Sequence, residues 1–309
     1  MLRWLIGDWA SERWRGLHTH APQRPVRRWQ RLTGAALFTL SLLMISVGAA
    51  TEVFRALDGL RWLEQAWRSL WVAGLLLQAA ATLWVVITVR PMRSDDLLRA
   101  TPEGLALWVR GAWLHILRRA RVLLLYLVLV RLAMIGLLLV EMTAMRGRYL
   151  DLIIAFEMAA PLPAAVMLLL IALGMTVALL LPLLALAFDA MVGLLLAYAL
   201  PERTFALVYQ VGWVLARWAG MAAFSWLYDR VVSGEVLTSA ESVLPLYAAS
   251  ALLGDHGATF TSLTRMSAAW GEMDAAPWAA VMGGGLLLVY ALAVELGLWA
   301  VRRRRERPD

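Results

Sequence analysis

Apolar residues in this chain come in long continuous runs rather than in alternation. Six runs stand out, at about residues 33–53, 69–89, 122–140, 162–200, 205–226 and 278–301. A helix of about 20 apolar residues is long enough to cross a hydrocarbon core about 30 Å thick. Continuous apolarity without a period of two favours helices over barrel strands. The pattern predicts an all-α fold: a polytopic membrane helical bundle with six transmembrane helices.

The run at 162–200 admits two readings, one kinked span or two spans. It holds one charge, Asp189, and one interior proline, Pro182. At about 1.5 Å per residue it extends about 58 Å, nearly two bilayer thicknesses. Arginine placement arbitrates, because basic loops stay on the cytoplasmic side. Three segments are basic: 1–32, 90–121 and the tail at Arg302, Arg303, Arg304 and Arg305. Residues 228–278 carry six carboxylates (Asp229, Glu235, Glu241, Asp255, Glu272, Asp274) against Arg230 and Arg265. Placing the basic segments inside and the acidic one outside requires 162–200 to cross once. The expected organisation is an interfacial segment 1–32, a six-span domain 33–301 and a basic cytoplasmic tail 302–309. The expected location is the cytoplasmic (inner) membrane, with both termini in the cytoplasm. Within the acidic segment, Val243–Leu253 is apolar but too short to span, so it is expected to be re-entrant or to lie flat.

Residues 1–32 mix Trp4, Trp9, Trp14 and Trp29 with seven arginines. A secretory signal has a shorter basic region and a shorter apolar core. An interfacial helix, with Trp and Leu in the headgroup layer and Arg on anionic lipid, fits better; a disordered basic tail is the plainer alternative. Membrane phosphate, not nucleic acid, is the expected partner of this charge.

Composition narrows the chemistry. The 309 residues are 61% hydrophobic, with mean hydropathy +0.69. Soluble domains are roughly 45–50% apolar. Cysteine is absent, which removes disulfides and thiolate metal sites. Lysine is absent as well, so no P-loop lysine can reach a nucleotide phosphate. The four histidines (His18, His20, His115, His256) are dispersed, and no metal site is expected. No constellation suggests an enzyme.

Charges inside the runs are costly, about 2.5–3.5 kcal/mol each near the membrane centre, and are expected to face the bundle interior. Arg131 and Asp189 sit at similar depths, roughly 14–17 Å from the expected cytoplasmic face. They are expected to pair, lining a substrate path or gate, or simply clasping two helices. Arg217 and Glu295 are further intramembrane charges without an assigned partner. The run Gly283, Gly284 and Gly285 is expected to allow close helix packing.

The stretch at 90–121 carries seven arginines and three carboxylates between two spans. Thr101 and Pro102 mark a helix boundary, because the residue before proline avoids the α region. Glu103–His115 then has the pattern of a short amphipathic helix on the membrane surface. It is either a passive connector or a lever on both neighbouring spans.

The sequence DDLLRATPEGLALWVRG, residues 95–111, resembles the cytoplasmic coupling segment of type-2 ABC exporter permeases. The resemblance rests on Asp96, Leu97, Leu98, Thr101, Pro102 and Gly111, with Asp95 adjoining. Pro91 and Ala112 depart from the pattern, where the family often has Glu and Lys. The order of parts also agrees: an amphipathic N-terminus, six spans and short helices between spans five and six. The resemblance implies a half-transporter that pairs with a second copy or a paralogue. It also implies that ATP and Mg are bound by a separate ABC ATPase subunit, docked on residues 93–115. The competing expectation is a non-transporting scaffold or assembly component of a secretion or conjugation apparatus.

Overall fold

The computed structural model describes residues 61–89, 102–144, 164–200, 202–232, 243–255, 258–260 and 275–306. Among these, every regular element is a helix. The elements are α1 Arg61–Thr88, α2 Pro102–Ala144, α3 Ala164–Ala199, α4 Arg203–Val232, α5 Val243–Leu253 and α6 Ala275–Glu306. The expected first span at 33–53, the interfacial segment 1–32 and Asp95, Asp96, Leu97, Leu98 and Thr101 lie outside the described residues.

Four helices, α1, α2, α3 and α6, are long and apolar enough to cross a membrane. The helix expected as the fifth span, α4, has 30 residues but is interrupted by Gln210, Trp213 and Arg217. The long run at 162–200 is one helix, α3, with Pro182 inside it. It ends two residues before Pro201. Proline disfavours a helical residue immediately before it, so the stop is where the sequence puts it.

Helix α3 is the hub, contributing to all three clusters of buried apolar side chains. With α1 and α2 it buries Leu77, Ala81, Leu123, Leu127, Ala178 and Leu186. With α4, α5 and α6 it buries Val177, Leu181, Tyr228, Tyr247 and Tyr290. With the start of α2 and the end of α6 it packs Met191 on Val109, Val294, Leu298 and Val301.

Side-chain neighbours fix the directions. Leu173 lies by Gly284, Val177 by Gly283 and Met191 by Gly297, so α3 and α6 run parallel. A three-residue link joins α3 to α4, as for antiparallel neighbours. Trp113 bonds Ala187 while Val109 packs on Met191 at the far end of α3, so α2 opposes α3. The end of α1 reaches the same place, with Val89 beside Gly193. The end of α1, the start of α2, the α3–α4 link and the arginine-rich end of α6 therefore share one end of the bundle.

The expected short surface helix at Glu103–His115 is not separate. It forms the first turns of α2, which continues for 43 residues. Pro102 is the first residue of α2, a position that suits proline because its missing N–H has no intrahelical partner there. After it no proline occurs before Ala144, and Gly111 alone does not stop the helix. Val109 and Ala112 are buried in the bundle rather than lying on a surface.

The outward surface is apolar: Leu83, Leu129, Leu169, Leu215, Leu288, Leu292 and Leu296 are exposed. The interior holds Gln78, Thr82, Arg131, Asp189, Gln210 and Arg217, all buried. Apolar outside and charged inside is the distribution a lipid-facing bundle requires.

Candidate functional site

The buried polar groups are brought together by the shortest helix. Tyr247 of α5 lies beside Gly283 of α6, and Leu252, one turn and a half later, beside Tyr290. Helix α5 thus runs alongside α6 from the end where α4 stops and α6 starts, and it terminates inside the bundle. Its residues Val243, Tyr247, Ser250 and Ala251 are buried against the longer helices. A Cβ on Gly283 would collide with Tyr247 Oη and Val177, so that position of the glycine run is a packing requirement.

The termination of α5 is written in its last residues. Gly254 has φ 125 and Asp255 φ 54, both left-handed. Glycine adopts this region freely and Asp tolerates it. The Gly254 N–H donates to Ala251 O at 3.1 Å and the Asp255 N–H to Ser250 O at 3.2 Å. This pair of bonds is the Schellman ending of a helix. It satisfies two carbonyls and leaves those of Leu252, Leu253, Gly254 and Asp255 pointing into the bundle.

Each of those four carbonyls accepts from a different helix. Tyr290 Oη of α6 donates to Leu252 O at 2.5 Å. Arg217 Nη1 of α4 donates to Leu253 O. Gln78 Nε2 of α1 donates to Gly254 O at 3.4 Å. Arg131 Nη2 of α2 donates to Asp255 O at 3.3 Å. A buried backbone carbonyl without a partner costs about as much as a lost hydrogen bond, which accounts for polar side chains in otherwise apolar helices. The C-terminal end of a helix also carries a partial negative charge, favouring arginine there.

The carboxylates complete the site. Asp189 Oδ2 accepts from Arg217 Nη2 at 2.5 Å, and its Oδ1 from Trp213 Nε1 at 3.3 Å. Trp213 and Arg217 are four apart on α4 and share a face. Asp255 lies 3.9 Å from Arg131 Nη1, and its Oδ1 accepts the backbone N–H of Thr259 at 2.9 Å. Arg131 also stacks over Phe260 at 5.4 Å. Two arginines and two aspartates form a formally neutral tetrad, each member at most 4% exposed.

The expected Arg131–Asp189 pair is thus not formed: Asp189 holds Arg217, and Arg131 holds Asp255. Depth along a helix is readable from residue count, but the facing direction is not. A signal for the true partner does exist. Asp189 and Trp213 are equidistant from Pro201, twelve residues to either side, so an antiparallel hairpin sets them opposite each other. The acidic surroundings of Asp255 point it to the solvent, but it is fully buried, carried in by the apolar run that ends at Gly254.

Glu295 is not part of the tetrad. It bonds Arg110 across α6 and α2 at 2.7 Å, with both side chains about 60% exposed. Arg110 lies at the start of the apolar stretch of α2. The pair is expected to contribute less than about 1 kcal/mol. Thermal unfolding of Glu295→Gln in detergent should differ little from the parent, and high salt should erase the difference. Of the segment resembling a coupling motif, Pro102 and Gly111 are placed, both on α2; the other residues fall outside the described region.

Among the described residues no group of acids or histidines is arranged to hold a metal. No family model matches the chain, and no curated protein or solved structure does.

Proposed function

We propose that this chain is the permease subunit of an ATP-driven exporter of the type-2 ABC class, in the cytoplasmic membrane with both termini inside. In this reading residues 33–53 and α4 complete six spans. A second copy or paralogue completes the translocation unit, and a separate ATPase subunit binds ATP and Mg. Residues 93–115 receive the motion of that ATPase.

The observation that supports the reading is the continuity of α2. The segment resembling the coupling motif leads into a 43-residue helix that carries Arg110, Trp113 and Arg131. Force applied near Pro102 acts on one rigid rod, and that rod clasps the end of α5 about 44 Å away at 1.5 Å per residue. A helix between the fifth and sixth spans, inserted beside buried charges, also agrees with the order of parts in such permeases.

The test is co-expression with the ATPase encoded nearest to this chain, followed by co-purification and ATPase assay. Asp95→Ala/Asp96→Ala and Thr101→Ala/Pro102→Ala are expected to reduce association or stimulated ATPase activity at least tenfold. The protein should remain folded and monodisperse. Association and activity that persist unchanged in folded variants would sink the coupling role and favour the scaffold.

A further inference from the structure

The two arginines of the tetrad bind the end of α5 in the way arginines bind an anion. Each donates to a backbone carbonyl of the α5 ending and also faces a carboxylate. The negative end of a helix, four inward carbonyls and the Asp255 carboxylate together present the acceptor-rich surface of an oxyanion. The charges divide unevenly between the two sides. The long helices supply Arg131, Arg217 and Asp189, a net charge of +1; the α5 ending supplies Asp255, a charge of −1. Donors also remain unused: Arg131 Nε and Arg217 Nε have no hydrogen-bond partner although both side chains are buried. Around Gly254 the walls supplied by the long helices are Ala185 and Met221. A charged centre with apolar walls suits a headgroup on a hydrocarbon tail.

We propose that the ending of α5 occupies a binding site for the phosphate headgroup of an anionic amphiphile, which takes its place when α5 withdraws. Helix α5 is then a built-in stand-in for the ligand. It enters the bundle from the end where α4 stops and α6 starts, and withdrawal is toward that end. The inference rests on the transport reading for its purpose, but binding itself needs no ATPase. Failure of the binding test and failure of the coupling test are therefore separate results.

The absence of cysteine makes the test clean. Ser225 of α4 and Ser250 of α5 are buried with their hydroxyl oxygens 2.6 Å apart, so Ser225→Cys/Ser250→Cys can lock α5 in place. Binding of dodecyl phosphate to the purified full chain in detergent is measured by calorimetry, beside dodecylphosphocholine and inorganic phosphate. The reduced protein should bind dodecyl phosphate saturably, at least tenfold tighter than dodecylphosphocholine. Oxidation to the disulfide should weaken that binding at least tenfold, and reduction should restore it. Arg131→Gln/Asp255→Asn removes one charge of each sign and leaves the long helices neutral; it too should lose at least tenfold. Undiminished binding to the oxidised protein, or no preference for the phosphate headgroup over phosphocholine, overturns the proposal. Equal binding of inorganic phosphate would overturn the amphiphile and leave a free-anion site. If the disulfide does not form, the charge-neutral variant decides; if that variant does not fold, the disulfide decides.

Discussion

Asp189→Leu alone is expected to destabilise the folded protein by about 3–5 kcal/mol, the usual cost of leaving one partner of a buried ion pair uncompensated. Arg217 is 3% exposed and would be left in the bundle interior with only the Leu253 carbonyl as acceptor. Replacing both members, Asp189→Leu/Arg217→Met, should recover most of that loss. Apolar side chains of similar volume often substitute for a buried pair at little cost. Recovery should remain about 1–3 kcal/mol incomplete, because Leu253 O then lacks its donor. The same compensation should fail when Asp189→Leu is combined with Arg131→Met, since Arg131 pairs with Asp255. Reversible unfolding in mixed micelles, read as a double-mutant cycle, measures all three. Rescue by Arg131→Met rather than Arg217→Met would overturn the observed pairing.

That contrast also shows which parts of the fold a sequence of this kind carries. Breaks and lengths are local properties. Pro102 opens α2, α3 stops just before Pro201, and α5 has the same bounds as the apolar run Val243–Leu253. Charge balance predicts a single crossing by residues 162–200, and the run there forms one helix, α3. The partners inside the bundle are non-local. They depend on which face each helix turns to α3, and α3 is apolar all round, so its periodicity names no face. Asp189 therefore shows its depth but not its direction. The surface helix expected at 103–115 erred for a related reason. Its amphipathic spacing, Leu105, Trp108, Val109 and Trp113, is real, but the two of these side chains that the structure describes, Val109 and Trp113, meet other helices. Val109 packs on the end of α6, and Trp113 bonds the Ala187 carbonyl.

Gly254→Ala is expected to be the most damaging single change outside the charged pairs. At φ 125 the backbone lies where an L-residue is strained by about 1–3 kcal/mol. The added Cβ would also strike Arg217 Nη1 and press on Met221 Sδ. Both effects fall on the same feature. The strain opens the Schellman ending, and the clash displaces the arginine that caps the Leu253 carbonyl and neutralises Asp189. The variant should therefore lose more stability than a strained turn alone, and the loss should not add to that of Asp189→Leu/Arg217→Met, which already removes the arginine. Unfolding free energies of the single, double and triple variants in the same micelles decide this. Strict additivity would mean that the α5 ending and the Asp189–Arg217 pair are energetically independent. The arrangement of four carbonyls of one ending bonded to four helices predicts the opposite. Each acceptor is positioned by the same reversal of the chain, so a shift at Gly254 is felt at Gln78, Arg131, Arg217 and Tyr290 together.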